Sequence, residues 1–299
     1  MKKIKWNTTN IADQSNRVMI VTGATSGLGK EATKILAAKH ARVIMAVRNT
    51  EKGEAVAAEF KKANPDAKID VRQLDLGSLT SVQSFADGMN ASYDRLDVLI
   101  NNAGVMACPF SKTEDKFEIQ MGTNHFGHFA LTGLLMPLLK KTKGSRIVAT
   151  SSIAHKQGNI NFDDINWEKR NYVTNRAYSD SKLANLYFTY ELVRKLKDDP
   201  NAPIVTAAHP GWTSTDLQRH SLLFRVLNPI FSQGVADGVL PTLRAAIDDQ
   251  AKPGDYYGPS GFMEATGSPV IVKGNKMAHN ETNAKRLWDL SEEMTDVKF

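Results

Sequence analysis

Residues 22–29 have the sequence TGATSGLG and lie between a β-branched run at 17–22 and a helical pattern at 28–39. Glycines here permit a tight turn and a close approach of the backbone to a ligand, and the first amides of the following helix attract negative charge. A bare strand-to-helix turn is the alternative. The strand before, the helix after and the position near the chain start favour a pyrophosphate cradle for a dinucleotide, formed by Gly23, Thr25, Ser26, Gly27, Leu28 and Gly29.

The rest of the chain repeats this alternation of short apolar runs and longer helical patterns. Strands are predicted at residues 17–22, 42–46, 69–74, 98–101, 146–151 and 204–209. Helices are predicted at 50–61, capped by Thr50, at a segment ending at 89 and capped by Ser78 or Thr80, at 177–196 and at 233–248. Such βαβ units form a parallel sheet with both faces covered.

We therefore expect an α/β fold: a single-domain doubly wound parallel sheet (Rossmann fold) in a three-layer αβα sandwich over residues 1–299. Residues 1–16 form an N-terminal extension in this interpretation, and the chain after the 233–248 helix is an irregular appendage.

Composition narrows the class of protein. The chain has 299 residues, of which 41% are hydrophobic and 23% charged, as in ordinary globular proteins. Its net charge of +6 is spread along the chain without a recognition module, so no nucleic-acid partner is expected. No run of 18 apolar residues is present, so we predict no membrane span and a cytoplasmic protein. No Cys/His/Asp spacing indicates a metal site. Cys108, the single cysteine, is a buried hydrophobe or a reactive thiol.

The end of the second predicted strand indicates which dinucleotide the cradle takes. Sites that prefer NAD usually place Asp or Glu there to bind the ribose hydroxyls. This chain has Arg48 at that place, with no acid before Glu51. A guanidinium suits a 2′-phosphate, which a carboxylate would repel, so the sequence favours NADP; a solvated surface arginine is the alternative.

Asp75 and Leu76 end the third predicted strand. The Asp75 carboxylate could accept a hydrogen bond from an adenine amino group. It could equally be the N-cap of the helix after Gly77.

Tyr178 and Lys182 lie four residues apart in a segment with helical periodicity, so both side chains project from one helix face. A half-buried aromatic and a solvated lysine are the ordinary alternatives. Further polar motifs favour a catalytic interpretation, because they end predicted strands or precede a long apolar helix: Asn101, Asn102, Ala103 and Gly104, then Asn124 and Ser152.

Together these motifs resemble the short-chain dehydrogenase/reductase family over nearly the whole chain. The resemblance implies a catalytic tetrad of Asn124, Ser152, Tyr178 and Lys182, with Tyr178 and Lys182 also at the cofactor. It implies cofactor contacts from Asn102, Ala103 and Gly104, and a motif beside the nicotinamide carboxamide at Pro210, Gly211, Thr213 and Thr215.

The separation of Ser152 from Tyr178 is longer than in the shortest members of the family. The extra segment HKQGNINFDDINW, together with GKE at 29–31 and VRNTEKG at 47–53, resembles the retinol dehydrogenase-like branch. Ser151 adjoins Ser152, which leaves the catalytic hydroxyl ambiguous by one residue; family spacing within TSSIAH favours Ser152.

The implied chemistry is hydride transfer between nicotinamide and a carbonyl or alcohol carbon. A carbonyl that receives hydride also needs a proton on its oxygen, and Tyr178 is the expected acid. The Lys182 ammonium and an oxidised nicotinamide are expected to lower the Tyr178 pKa below its free value. Ser152 would donate a hydrogen bond to the oxygen, and Asn124 would position a relay water. His125, His128 and His155 are expected to be core or polar filler.

Residues 212–232 are predicted to form a substrate lid. Their apolar side chains suggest a lipophilic aldehyde, ketone or alcohol, although packing against the domain or against a second subunit would use the same residues. A homo-oligomer is possible. Two other functions stay open: a catalytically idle NADP-binding sensor or scaffold, and an enzyme similar to protochlorophyllide reductase, for which Cys108 would lie near the substrate.

Overall fold

The fold is built on one mixed sheet. The computed structural model describes residues 5–213 and 233–299. In these residues eight strands have the order β3-β2-β1-β4-β5-β6-β7-β8; neighbours are parallel except β7 and β8, which are antiparallel. The strands are β1 Val18–Thr22, β2 Arg42–Val47, β3 Lys68–Gln73, β4 Val98–Asn101, β5 Arg146–Thr150, β6 Ile204–Ala208, β7 Tyr256–Pro259 and β8 Pro269–Val272.

Helices connect the parallel strands and cover both faces of the sheet. They are α1 Gly27–Ala38, α2 Thr50–Ala63, α3 Leu79–Ser92, α4 Ile119–Met121, α5 Gly127–Lys141, α6 Thr174–Leu196, α7 Val235–Gly238, α8 Leu240–Ile247 and α9 Glu281–Thr295. A π-helical turn, Gly122–Phe126, joins α4 to α5. No helix in the described ranges is long and apolar enough to cross a membrane.

The core lies in two layers, one on each side of the sheet. β1, β4 and β5 are buried at every position, as expected of central parallel strands. One apolar cluster joins the sheet to α1, α2 and α8, and a second joins it to α3, α5 and α6. The predicted doubly wound αβα sandwich is confirmed. Its strand order reverses between β1 and β4, where a crevice opens at the carboxyl ends of the strands.

The prediction of an irregular C-terminal segment is wrong. β7 and β8 extend the sheet, and α9 packs its buried side against α6 and α5. β7 has the sequence YYGP, whose glycine and proline are poor strand formers, so its conformation depends on pairing with β6. The α9 sequence did carry a signal: an Asn280 cap, followed by buried residues at Ala284, Leu287, Trp288, Ser291 and Thr295.

Some predicted helix starts differ in the structure. Asn49, and not Thr50, caps α2. Of the two caps predicted for α3, Ser78 is the one observed. The predicted 233–248 helix is two helices, α7 and α8. Pro241 lies at the start of α8 and has no N–H to donate to the preceding turn, which accounts for the division.

Candidate active site

The fold brings the described candidate residues to one edge of the sheet. They occupy the segments that follow the carboxyl ends of β1 through β6, together with the π-helical turn and α6. Thr215 and most of the proposed lid, 214–232, lie outside the described residues.

In the 22–29 turn, the backbone at Gly23 and Gly29 packs too closely against its neighbours to accept a side chain. Gly23 has a φ of +68°, and a Cβ on Gly29 would lie 2.5 Å from the Gly23 carbonyl oxygen and 2.6 Å from Asn102 Nδ2. Ser26 precedes α1 but makes no side-chain cap bond to it, whereas Asn49 and Ser78 cap α2 and α3. The first amides of α1 are therefore left for an external acceptor, which fits the pyrophosphate of a dinucleotide.

Thr22 joins the glycine turn to the loop after β4. Its hydroxyl accepts hydrogen bonds from the backbone amides of Asn102 and Ala103, both at 2.9 Å. The Asn102 side chain donates to the Thr22 carbonyl at 2.8 Å. Gly104 continues this loop toward the catalytic candidates, since a Cβ there would lie 2.8 Å from Asn124 Oδ1 and 3.6 Å from Lys182 Nζ.

Arg48 and Asp75 lie at the ends of β2 and β3. Arg48 is exposed directly after β2, where the ribose of a bound dinucleotide is expected. The N-cap alternative for Asp75 is wrong, because Ser78 caps α3 and Asp75 Oδ1 accepts from the Gly77 amide at 2.8 Å. Leu76 is a buried core residue.

The structure places Ser152, rather than Ser151, beside Tyr178. The Ser152 side chain interacts with the Tyr178 phenol and lowers its pKa. The Ser152 hydroxyl accepts from the Ala154 amide at 3.2 Å, so its own hydrogen is available to donate. Ser151 is turned away, because its hydroxyl donates to the Lys182 carbonyl at 2.9 Å. Of the two adjacent serines, Ser152 is therefore the one whose side chain faces Tyr178.

Lys182 is 4% exposed and lies one helical turn after Tyr178. Its Nζ donates to the Thr150 carbonyl at 3.1 Å and lies 5.7 Å from the centroid of the Tyr178 ring. Burial lowers the pKa of Lys182 to about 8. Burial also raises the pKa of Tyr178 to about 12, against the opposing effect of the Ser152 hydroxyl. Without the oxidised nicotinamide the Tyr178 pKa therefore lies above its free value, and the lowering expected with that cofactor bound stays a prediction.

Asn124 lies in the π-helical turn, an irregularity that recurs at functional sites. Both hydrogens of its side-chain amide are used: Nδ2 donates to the Val105 carbonyl and to Ser181 Oγ, both at 2.9 Å, while Oδ1 accepts from the Val105 amide at 2.8 Å. The side chain thus positions the loop after β4. The Asn124 main-chain carbonyl accepts from His128 Nδ1 at 3.1 Å.

Pro210, Gly211 and Thr213 form a tightly held turn after β6. The Pro210 carbonyl accepts from Thr213 Oγ1 at 2.8 Å and from Gln233 Nε2 at 2.7 Å. Gly211 has a φ of +68°, and a Cβ there would lie 2.3 Å from the Ala265 carbonyl oxygen. The segment therefore depends on the β7–β8 connection, which sequence reasoning did not predict.

Two histidine side chains at this edge of the sheet hydrogen-bond backbone groups, a role that the sequence analysis did not predict. His155 Nδ1 lies 2.6 Å from the Ser152 carbonyl, which can only accept, so Nδ1 donates and holds the Ser152 backbone. His209 contacts both Gly211 and Glu264. The position of His209 directly before Pro210 and Gly211 was the available signal; nothing in the sequence indicated Glu264.

His125 and His128 are buried, and burial lowers their pKa values to about 3 and about 4. Both are therefore neutral at pH 7. No group of three or more potential metal-binding side chains occurs in residues 5–213 and 233–299.

Comparison with known proteins places this architecture in a family. The family model for short chain dehydrogenases matches residues 17–223. Human retinol dehydrogenase 11 is 41% identical over 286 residues, which is 95% of this chain and 87% of the relative. Human retinol dehydrogenase 13 is 40% identical over 283 residues, covering 91% and 82%.

Solved structures agree. An uncharacterized protein from Mycobacterium paratuberculosis superimposes with a TM-score of 0.84 at 41% identity and covers 99% of both chains. A short chain dehydrogenase from Shigella flexneri, complexed with NADP, has a TM-score of 0.66 at 28% identity and covers 82% of this chain and 98% of its own.

The chain therefore belongs to the short chain dehydrogenase family, in its retinol dehydrogenase-like branch. It is an oxidoreductase of CH–OH and C=O groups that uses a nicotinamide cofactor.

Proposed function

We propose that this protein is an NADP-dependent dehydrogenase/reductase of lipophilic alcohols, aldehydes or ketones, with Tyr178 as its acid/base. The observation that carries the proposal is the position of the buried Lys182 ammonium 5.7 Å from the centroid of the Tyr178 ring, with the Ser152 side chain lowering the pKa of the same phenol. A polar trio of this kind beside a dinucleotide cradle matches proton transfer at a carbonyl oxygen. It favours catalysis over an idle NADP-binding scaffold.

Three side chains would have separate roles at the substrate oxygen: those of Tyr178, Ser152 and Lys182. A bound nicotinamide ring supplies or accepts the hydride. Tyr178 gives its hydroxyl proton to the oxygen in reduction and removes that proton in oxidation, while the Ser152 hydroxyl donates a hydrogen bond as negative charge develops. Lys182 places a positive charge near the phenol, which favours the phenolate. Asn124 would hold a relay water through an oxygen lone pair that its present hydrogen bonds leave unused.

Residues outside the tetrad would hold the cofactor. The glycine turn and the start of α1 receive the pyrophosphate, with Leu76, Asn102, Ala103 and Gly104 on the adenine side. Asp75 keeps a carboxylate oxygen for the adenine amino group, because only Oδ1 is used by Gly77. Pro210, Gly211 and Thr213, with Thr215 beyond the described residues, would face the nicotinamide carboxamide.

A lipophilic substrate is supported by two observations. The relatives at about 40% identity are named retinol dehydrogenases. Large apolar side chains are exposed at this end of the molecule: Phe110 after β4, Val173 before α6, and Phe262 and Met263 between β7 and β8. An enzyme for small polar substrates would not require them.

The Tyr178→Phe variant tests the reaction. It keeps the ring and removes the hydroxyl, so we expect kcat to fall by about 10² to 10⁴ while NADPH affinity changes little. Consumption of NADPH is followed with retinal, long-chain aldehydes and short-chain aldehydes. Wild-type activity should rise with chain length. Near-wild-type turnover by Tyr178→Phe on a verified substrate would exclude Tyr178 as the acid.

Preference for NADP is tested at Arg48, which is exposed where a 2′-phosphate would lie. We expect Arg48→Asp to weaken NADPH binding at least tenfold and to leave NADH binding within a few-fold, because a bidentate cation becomes an anion. Calorimetric titration measures both affinities. Lys52→Asp on the neighbouring α2 serves as the control for a general change of surface charge, and equal losses for both cofactors in Arg48→Asp would refute the preference.

A further inference from the structure

The connection between β7 and β8 has a strained backbone. Met263 and Glu264 have φ angles of +51° and +58°, a left-handed conformation that is unfavourable for residues with side chains. The turn is closed by a bond from the Gly261 amide to the Thr266 carbonyl at 2.8 Å. Strain of this kind persists where other contacts over-determine the conformation, and it clusters at functional sites. The contacts of Glu264 are therefore informative.

Each oxygen of the Glu264 carboxylate has one cationic or imidazole donor. Lys156 Nζ donates to Oε1 at 2.9 Å, and His209 Nε2 donates to Oε2 at 3.0 Å. The bond from His209, followed by that from Lys156, lowers the pKa of Glu264 to about 2. Glu264 is thus an anion at neutral pH, and each of its oxygens accepts one of these bonds.

The partners of His209 define its tautomer. The Gly211 amide, which can only donate, lies 3.2 Å from His209 Nδ1, so Nδ1 accepts and Nε2 carries the proton that Glu264 receives. Burial lowers the His209 pKa, which keeps the ring neutral. A Cβ on Gly258 would lie 2.1 Å from Nε2, so the ring packs directly against the β7 backbone at that glycine. A carboxylate, an imidazole and a backbone amide therefore form one chain of hydrogen bonds.

This chain ends on the segment that the proposed function places against the nicotinamide. The same β7–β8 connection also holds that segment through its backbone, because the Ala265 carbonyl accepts from the Trp212 amide at 2.8 Å. Lys156 belongs to the short helix that follows Ser152, so Glu264 also links the two halves of the candidate site.

We infer that Glu264 is a positioning residue for the nicotinamide half of the cofactor, acting through the fixed tautomer of His209 on the Gly211 backbone. The inference rests on the proposed function, since it assumes that Pro210, Gly211 and Thr213 face the nicotinamide. Glu264 itself does not contact the reacting atoms in this role.

The Glu264→Gln variant tests the inference. A glutamine has one acceptor oxygen and one amide nitrogen that only donates, so it cannot accept from Lys156 and His209 together. We expect NADPH affinity to fall about tenfold, while affinity for adenosine 2′,5′-bisphosphate, which lacks the nicotinamide half, stays within about twofold. Calorimetric titration measures both ligands. Asp289→Asn, which removes a carboxylate from an exposed ion pair on α9, is the matched control and should change neither affinity.

Nitrogen-15 spectra of the imidazoles give a readout independent of binding. The His209 signals are identified by their loss in His209→Gln. In the wild type they should show a proton on Nε2, and in Glu264→Gln a population with the proton on Nδ1. The double variant Glu264→Gln/His209→Gln should bind NADPH no more weakly than His209→Gln alone, because Glu264 acts through His209.

The outcomes separate clearly. Unchanged NADPH affinity in folded Glu264→Gln, equal losses for both ligands, or additive losses in the double variant would each overturn the inference. If Glu264→Gln does not fold, His209→Gln removes the imidazole through which Glu264 acts, and it should weaken NADPH selectively in the same direction; an unchanged affinity would overturn the inference. If the wild type binds adenosine 2′,5′-bisphosphate and no variant loses NADPH affinity selectively, the inference alone is refuted. If the wild type binds neither ligand, the proposed function is refuted as well.

Discussion

At the scale of single residues, the pKa values of Tyr178 and Lys182 both depart from their ordinary values. Burial favours the neutral form of each, so it raises the pKa of the phenol to about 12 and lowers that of the ammonium to about 8. A phenol that titrates so high is a poor base at neutral pH. The resting site therefore holds the phenol in the protonated form that reduction would use, and oxidation of an alcohol requires a further positive charge beside the phenol.

This electrostatic arrangement predicts the titration of Tyr178. The ultraviolet difference between wild type and Tyr178→Phe should show no phenolate signal below pH ~10 in the protein without cofactor. Addition of NADP⁺ should move the ionisation to lower pH, because its cationic ring favours the phenolate. A phenolate signal from Tyr178 below pH ~10 without cofactor would contradict the burial argument. NADPH, which lacks that cation, is the control ligand.

At the scale of elements, the strand-to-helix units decide where ligands can approach. α2 and α3 satisfy their first amides with Asn49 and Ser78, while α1 follows a glycine turn and makes no side-chain cap bond. The same turn is closed against the loop after β4 through Thr22 and Asn102. The cradle is therefore a property of β1, α1 and β4 together.

Two glycine-to-alanine variants, one in α1 and one in α3, distinguish the close packing of the glycine turn from a general effect of helix propensity. Gly29→Ala puts a Cβ 2.5 Å from a carbonyl oxygen that cannot move freely, so we expect a loss of about 1–3 kcal/mol in the free energy of unfolding and at least tenfold weaker NADPH binding. Gly88→Ala in α3 meets no atom within 4 Å and should raise the free energy of unfolding by about 0.5–1 kcal/mol. Urea unfolding and calorimetric titration measure these effects. A Gly29→Ala protein with wild-type stability and affinity would show that the close packing is not required.

At the scale of the whole molecule, the C-terminal residues complete the domain. Trp288 of α9 is 2% exposed; its ring lies 5.0 Å from Phe129, 6.0 Å from Phe188 and 4.7 Å from Phe299. Phe188 belongs to α6, the helix that carries Tyr178 and Lys182. α9 and the chain terminus thus stabilise the catalytic helix from its outer side.

Trp288→Ala measures that contribution. Truncation of a buried aromatic residue in such a cluster costs about 3–5 kcal/mol, so we expect a loss of this size in the free energy of unfolding. Phe262→Ala, at a side chain that is 88% exposed, should change it by less than about 0.5 kcal/mol. Denaturant unfolding distinguishes the two. A loss below about 1 kcal/mol for Trp288→Ala would mean that α9 adds little to the domain.

The sequence by itself determined the features that depend on residues close together in the chain. The glycine turn between a strand and a helix, the alternation that forms a parallel sheet, and the four-residue spacing of Tyr178 and Lys182 are all local patterns. Tertiary structure decided which serine faces Tyr178, the direction of the pKa shifts, and the role of Glu264. Each of these depends on contacts between residues far apart in the chain, such as Lys156 and Glu264 with a sequence separation of 108, or on burial, which is set by the packing of the whole domain.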